Sequence, residues 1–144
     1  MTRRAPWRAP AWFARPAPRI LFLRRLADCG IQIREVRVPF RRYRGGFAFA
    51  IRLDVADLPV QTITIVFSLA CPESPHVYTD GPSDSPHRYS DGALCMWYPA
   101  DPGERRWNRS DGAPALLGHI VAHLLREEWW RRTGEWPGCE VIHA

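Results

Sequence analysis

A chain of 144 residues with 20 arginines, no lysine and 15 carboxylates carries a formal charge of +5. That length builds one core without metal or disulfide staples, and its longest apolar run falls far short of the roughly 18 residues needed to cross a bilayer. Cys29, Cys71, Cys95 and Cys139 are widely spaced, with no CxxC pair and no charged-plus-apolar leader at the start, so free thiols in a reducing cytoplasm are expected.

Residues 1–18, "MTRRAPWRAPAWFARPAP", carry four prolines, which argue against a regular helix or central strand and predict an irregular arm docked by Trp7, Trp12 and Phe13. Ile20, Leu21, Leu23 and Leu26, followed by Gly30, predict a short helix at about 19–28 with a glycine cap. From Ile31 the apolar period becomes two in "IQIREVRVPF", "GFAFAIRLDV" and "VQTITIVFSL", each bounded by turn chemistry, which predicts a three-strand antiparallel meander.

Residues 71–92 hold four prolines and two Asp-Gly pairs. A segment of that length without regular structure is usually functional. A second polar loop, "ADPGERRWNRSDG", leads to Pro114, which opens a helix closed by Gly134 with Leu116, Leu117, Ile120, Val121, Leu124 and Leu125 as its apolar face. The last ten residues are too short and broken for another helix, and no internal repeat is present.

The chemistry concentrates in "HRYSDGALCMWYP", residues 87–99. Cys95 is open to three readings there: a nucleophile following a turn, a metal ligand, or a small side chain packed between Leu94 and Met96. Cys29 and Cys71 read as core or boundary residues. His119 and His123 stand four apart on the long helix, a spacing that suits zinc with Cys139, His143, His87 or Cys95, although the glutamate of HExxH is missing. The blander reading is a pair of half-buried, hydrogen-bonded histidines, and neither metal nor cofactor is expected. The arginine-rich arm lacks a nucleic-acid-binding motif, so nucleic acid is not an expected partner. Phosphate-binding, dinucleotide and serine-hydrolase signatures are absent from the sequence.

The order of parts, a short helix, a meander, a proline-rich loop, His then Gly then Cys, and a long helix, resembles the α+β fold of ubiquitin-conjugating enzymes over about residues 19–144, with 1–18 as a separate arm. "GALC" is similar to the family's Gly-x-hydrophobic-Cys, and His87 precedes Cys95 by eight positions. Arg88 and Tyr89 stand where the family's His-Pro-Asn motif has proline and asparagine. "HxYxDGxLC" with the terminal "EWWRRTGEWPGCEVIH" looks more like the bacterial ubiquitin-conjugating-like proteins of anti-phage defence operons such as CBASS.

The resemblance implies a transferase that holds a partner's C-terminal carboxyl on Cys95 as a thioester. The partner is a cGAS-like nucleotidyltransferase or a ubiquitin-like protein, with or without a separate activating enzyme upstream, and no membrane is involved. A catalytically silent binding module of the same fold is the first alternative, and a small zinc protein using His119 and His123 is the second. With the motif asparagine unmatched, oxyanion stabilisation falls to backbone N–H groups of residues 92–95 or to the side chains of His87, Tyr89 or Asn108. Structural roles for His87 and Tyr89 stand beside the catalytic ones, and Asp91 and Asp101 read first as turn residues.

Overall fold

The computed structural model describes residues 9–97, 101–102 and 104–138. The period-two segments form three antiparallel strands, β1 (Ile33–Val36), β2 (Phe47–Leu53) and β3 (Gln61–Phe67). A fourth, β4 (His76–Thr79), lies inside the segment expected to lack regular structure, and the sheet order is β1-β2-β3-β4. The meander therefore has four strands rather than three. β4 spans four residues of which Val77 alone is buried, too little to show a period; its strand character comes from pairing with β3, where Val77 faces Ile65 and His76 faces Val66.

One face of the sheet carries Phe47, Phe49, Ile51 and Leu53 from β2, Ile63, Ile65 and Phe67 from β3, and Val77. Two helices bury that face: α1 (Pro16–Ala27) contributes Phe22 and Leu26, and α2 (Ala113–Thr133) contributes Leu116, Ile120 and Leu124. Each such side chain stabilises the fold by about 1.5–3 kcal/mol on burial. A smaller cluster of Tyr43, Ala48 and Val66 sits with Val36, Val38 and Tyr78.

α1 begins at Pro16, inside the arm expected to be irregular. Proline at positions 16 and 18 is compatible with a helix because the first N–H groups have no intrahelical partner to lose. The apolar face also differs from expectation: Ile20 and Leu21 are 60% and 51% exposed, and the buried pair is Phe22 and Leu26, four residues apart. Ahead of α1, Trp12 packs on Phe22, Phe47 and Phe67 and donates its Nε1–H to the Pro72 carbonyl at 2.6 Å, with Phe13 buried beside it. Trp7 lies outside the described residues.

α2 matches its expected limits, with proline in the first turn and Gly134 at φ 78° closing it through an N–H donated to Trp130. Leu125, assigned to the apolar face, is exposed. Glu127 is fully buried instead, since it falls one turn beyond Leu124 on the inward stripe.

Candidate functional site

Residues 87–95 form a tight hairpin. Gly92 donates its N–H to the Tyr89 carbonyl, Tyr89 donates to Ala93, and Cys95 donates to His87 at 3.0 Å, with Arg88 and Leu94 as bridge partners. Gly92 turns the chain at φ 90°, a conformation that glycine adopts without a Cβ penalty. Asp91 Oδ1 accepts the Ala93 N–H at 3.0 Å, as its turn reading predicts. Leu94 donates to the Val77 carbonyl at 2.8 Å, which ties the hairpin to β4.

These bonds overturn one expectation. The N–H groups of Gly92, Ala93, Leu94 and Cys95 all donate within the protein, so this run of backbone does not present a ready oxyanion hole. Closing the hairpin and anchoring it to β4 consumes the donors.

Cys95 is 7% exposed. Burial pushes its thiol up, the Tyr89 hydroxyl hydrogen-bonds it and pulls it down, and the Asp101 charge pushes it up further. Tyr89 itself is 44% exposed, so its ring does not form a buried platform beneath the cysteine, and its hydroxyl lies 3.5 Å from the Trp97 carbonyl. Asn108 precedes the short 3-10 turn Arg109–Asp111 and donates its backbone N–H to Asp111 Oδ2 at 2.8 Å. Trp107 is buried, with its Nε1–H donated to Gly112 at 2.8 Å. Cys29 and Cys71, read as core or boundary residues, are both exposed.

His87 is buried, with its ring 4.0 Å from that of Trp136 and its backbone N–H donated to Ser85 Oγ at 3.1 Å. His123 reaches the same place from α2: its ring is 5.5 Å from Trp136, and it shares a hydrogen bond with the His87 backbone. Burial, then the Arg88 charge, then His87, pull the His123 pKa down to about 3, so the ring is neutral. His119 packs its ring edge-on to Trp97 at 5.4 Å. Among the described residues no three His, Cys, Asp or Glu side chains come together to hold a metal; Cys139 and His143 lie outside them.

Two anchors flank the hairpin. Arg88 donates Nε and Nη2 to the two carboxylate oxygens of Glu127 at 2.9 and 2.8 Å, with the side chains 6% and 0% exposed. Farther along, Asp91 Oδ2 binds Arg42 and accepts the Tyr78 hydroxyl at 2.8 Å, and Arg42 stacks over the rings of Phe40 and Tyr43 at 4.4 and 4.8 Å. Neither Glu127 nor Arg42 was among the candidate residues. Glu127 had a signal: a carboxylate at helical spacing from Leu116, Ile120 and Leu124 falls on an apolar stripe and requires a buried partner.

The chain thus combines a sheet of four antiparallel strands, a cysteine hairpin bonded to the last of them and a long covering helix. The family model described as Type II CBASS E2 protein matches residues 43–144. The chain belongs to this family. The matched span takes in β2 to β4, the hairpin and α2. No curated protein and no solved structure matches the chain. Membership makes this a defence-associated, E2-like protein with a transferase-type role and partners within the CBASS system. Among the described residues no helix is long and apolar enough to cross a membrane.

Proposed function

We propose that the chain is a ubiquitin-conjugating-like domain whose Cys95 carries the C-terminal carboxyl of a partner protein as a thioester, in a reducing cytoplasm. The donor is the C-terminus of a cGAS-like nucleotidyltransferase or a ubiquitin-like protein, presented as an activated carboxyl. Cys95 loses its proton, its sulfur attacks the activated carbonyl, and the tetrahedral oxyanion collapses with expulsion of the activating group. An acceptor amine or thiol then attacks the thioester, forms its own bond to the carbonyl and releases the Cys95 thiolate, which recovers a proton.

The observation that carries this reading is the Tyr89 hydroxyl on the Cys95 thiol, at the end of a hairpin in which the N–H groups of residues 92–95 are otherwise engaged. The Tyr89 hydroxyl bonds the reacting sulfur, so it takes the oxyanion role in place of the motif asparagine. His87, packed under Trp136, sets the position of the hairpin rather than touching the carbonyl.

A silent binding module is the second reading, supported by the near-complete burial of Cys95 and the upward push on its thiol. One assay separates them. Incubation with the activated partner is expected to give a thiol-sensitive adduct, absent in Cys95→Ala and converted to a thiol-resistant ester in Cys95→Ser. An intact, activated partner that forms no adduct with the wild-type chain overturns the thioester reading and leaves the binding module.

A further inference from the structure

We infer that Arg88 and Glu127 are positioning residues, a buried fork that sets where the Cys95 hairpin sits against α2; the functional half of this inference rests on the thioester reading. Arg88 is the cross-strand partner of Leu94, the residue before Cys95. Its guanidinium reaches three places at once: both oxygens of Glu127 on α2, the Gly92 carbonyl in the turn at 3.0 Å, and the Pro82 carbonyl in the incoming chain at 2.9 Å. Arg131 repeats the pattern one turn along α2, with Nη2 donated to the same Pro82 carbonyl at 3.2 Å and Nε donated to Asp84 at 2.6 Å.

The hairpin is closed by its own backbone bonds and hung on β4 by the Leu94–Val77 bond, and the fork ties that unit to α2. What fixes that unit is directional. A bidentate guanidinium–carboxylate pair has one geometry in which both bonds form, whereas apolar packing at the same spot tolerates sliding. A buried ion pair contributes little net stability relative to an apolar pair of similar size. Its distinctive contribution here is orientation, and a reacting atom displaced by about 1 Å can lose on the order of 100-fold in rate.

The test replaces the pair by apolar residues of similar volume, Arg88→Met with Glu127→Leu, with Glu127→Gln as the second variant in case the first fails to fold. Three quantities are read: hydrogen exchange of the Leu94 and Cys95 amides, the rate of Cys95 alkylation by iodoacetamide, and transfer from a glycine-terminated peptide thioester. In that transfer the sulfur–carbonyl bond to Cys95 forms, the bond to the peptide's leaving thiolate breaks, and that thiolate takes up the proton from Cys95.

Positioning predicts a folded variant in which the two amides exchange about tenfold faster or more and alkylation speeds up, while kcat for transfer falls by about 100-fold at unchanged KM. A folded variant with wild-type exchange, or with faster exchange and wild-type kcat, overturns the inference; a change in melting temperature alone marks the pair as structural. If the wild-type chain accepts no peptide thioester and forms no adduct with the activated partner either, the thioester reading fails by itself. Exchange and alkylation then still decide whether the pair holds the hairpin.

Discussion

Cys95 and His87 are hairpin partners: the cysteine N–H donates to the histidine carbonyl at 3.0 Å. Their separation of eight positions follows from the turn between them, which is closed by Gly92 and Asp91. The motif is thus one structural object that sets the thiol just beyond the Arg88–Leu94 bridge.

The thiol is pulled in opposite directions by two neighbours, and each can be removed separately. Asp101→Asn takes away a charge that disfavours the thiolate, so alkylation of Cys95 near neutral pH is expected to speed up and its pH midpoint to fall. Tyr89→Phe takes away the stabilising hydroxyl, so the midpoint is expected to rise. A pH series of iodoacetamide alkylation on the three proteins checks both signs.

Removing one partner of the buried fork is a different perturbation from replacing both. Arg88→Ala strips Glu127, which is 0% exposed, of both hydrogen-bonded guanidinium donors and leaves it only the longer 3.8 Å pair with Arg131, with an expected loss of about 3 kcal/mol. Denaturant unfolding is expected to show Arg88→Ala well below the Arg88→Met, Glu127→Leu double variant.

Acid should weaken the fold through His123. Its pKa is about 3 in the folded chain against an ordinary 6.5, so the unfolded chain binds the extra proton between those values. The stabilisation is whole above about pH 6.5 and is lost as pH falls toward 3, at roughly 1.4 kcal/mol per pH unit. Burial lowers the His76 and His119 values as well, and these add in the same direction. Glu127 does little to oppose this although its Oε1 lies 4.0 Å from His123 Nε2, because Arg88 already neutralises it. Melting temperature measured across that range is expected to fall less steeply in His123→Asn.

Gly92→Ala isolates backbone strain. No atom lies within 4 Å of an added Cβ there, and the residue sits at φ 90°, so the expected loss of about 1–2 kcal/mol is conformational rather than steric. Chemical denaturation measures it directly, with Gly118→Ala, in the open middle of α2, as a control expected to gain up to about 1 kcal/mol.

Much of the frame was legible along the chain. The period-two segments yielded β1 to β3, Pro114 and Gly134 bounded the long helix, and the His, Gly and Cys order pointed to the family that the comparison then matched. Local rules succeed there because alternation, caps and turn residues act over a few neighbours.

Tertiary structure decided the rest. β4 exists because β3 offers it a partner, and the face α1 buries was chosen by the aromatic cluster of Phe22, Phe47 and Phe67 against Trp12. The use of Arg88 was hidden for the same reason. In sequence it is one arginine among 20, and only folding brings it against Glu127, 39 positions away, where loss of water makes each charge need the other. Sequence alone singled out the cysteine; the three-dimensional arrangement determined that its backbone donors are engaged and which side chain faces its sulfur.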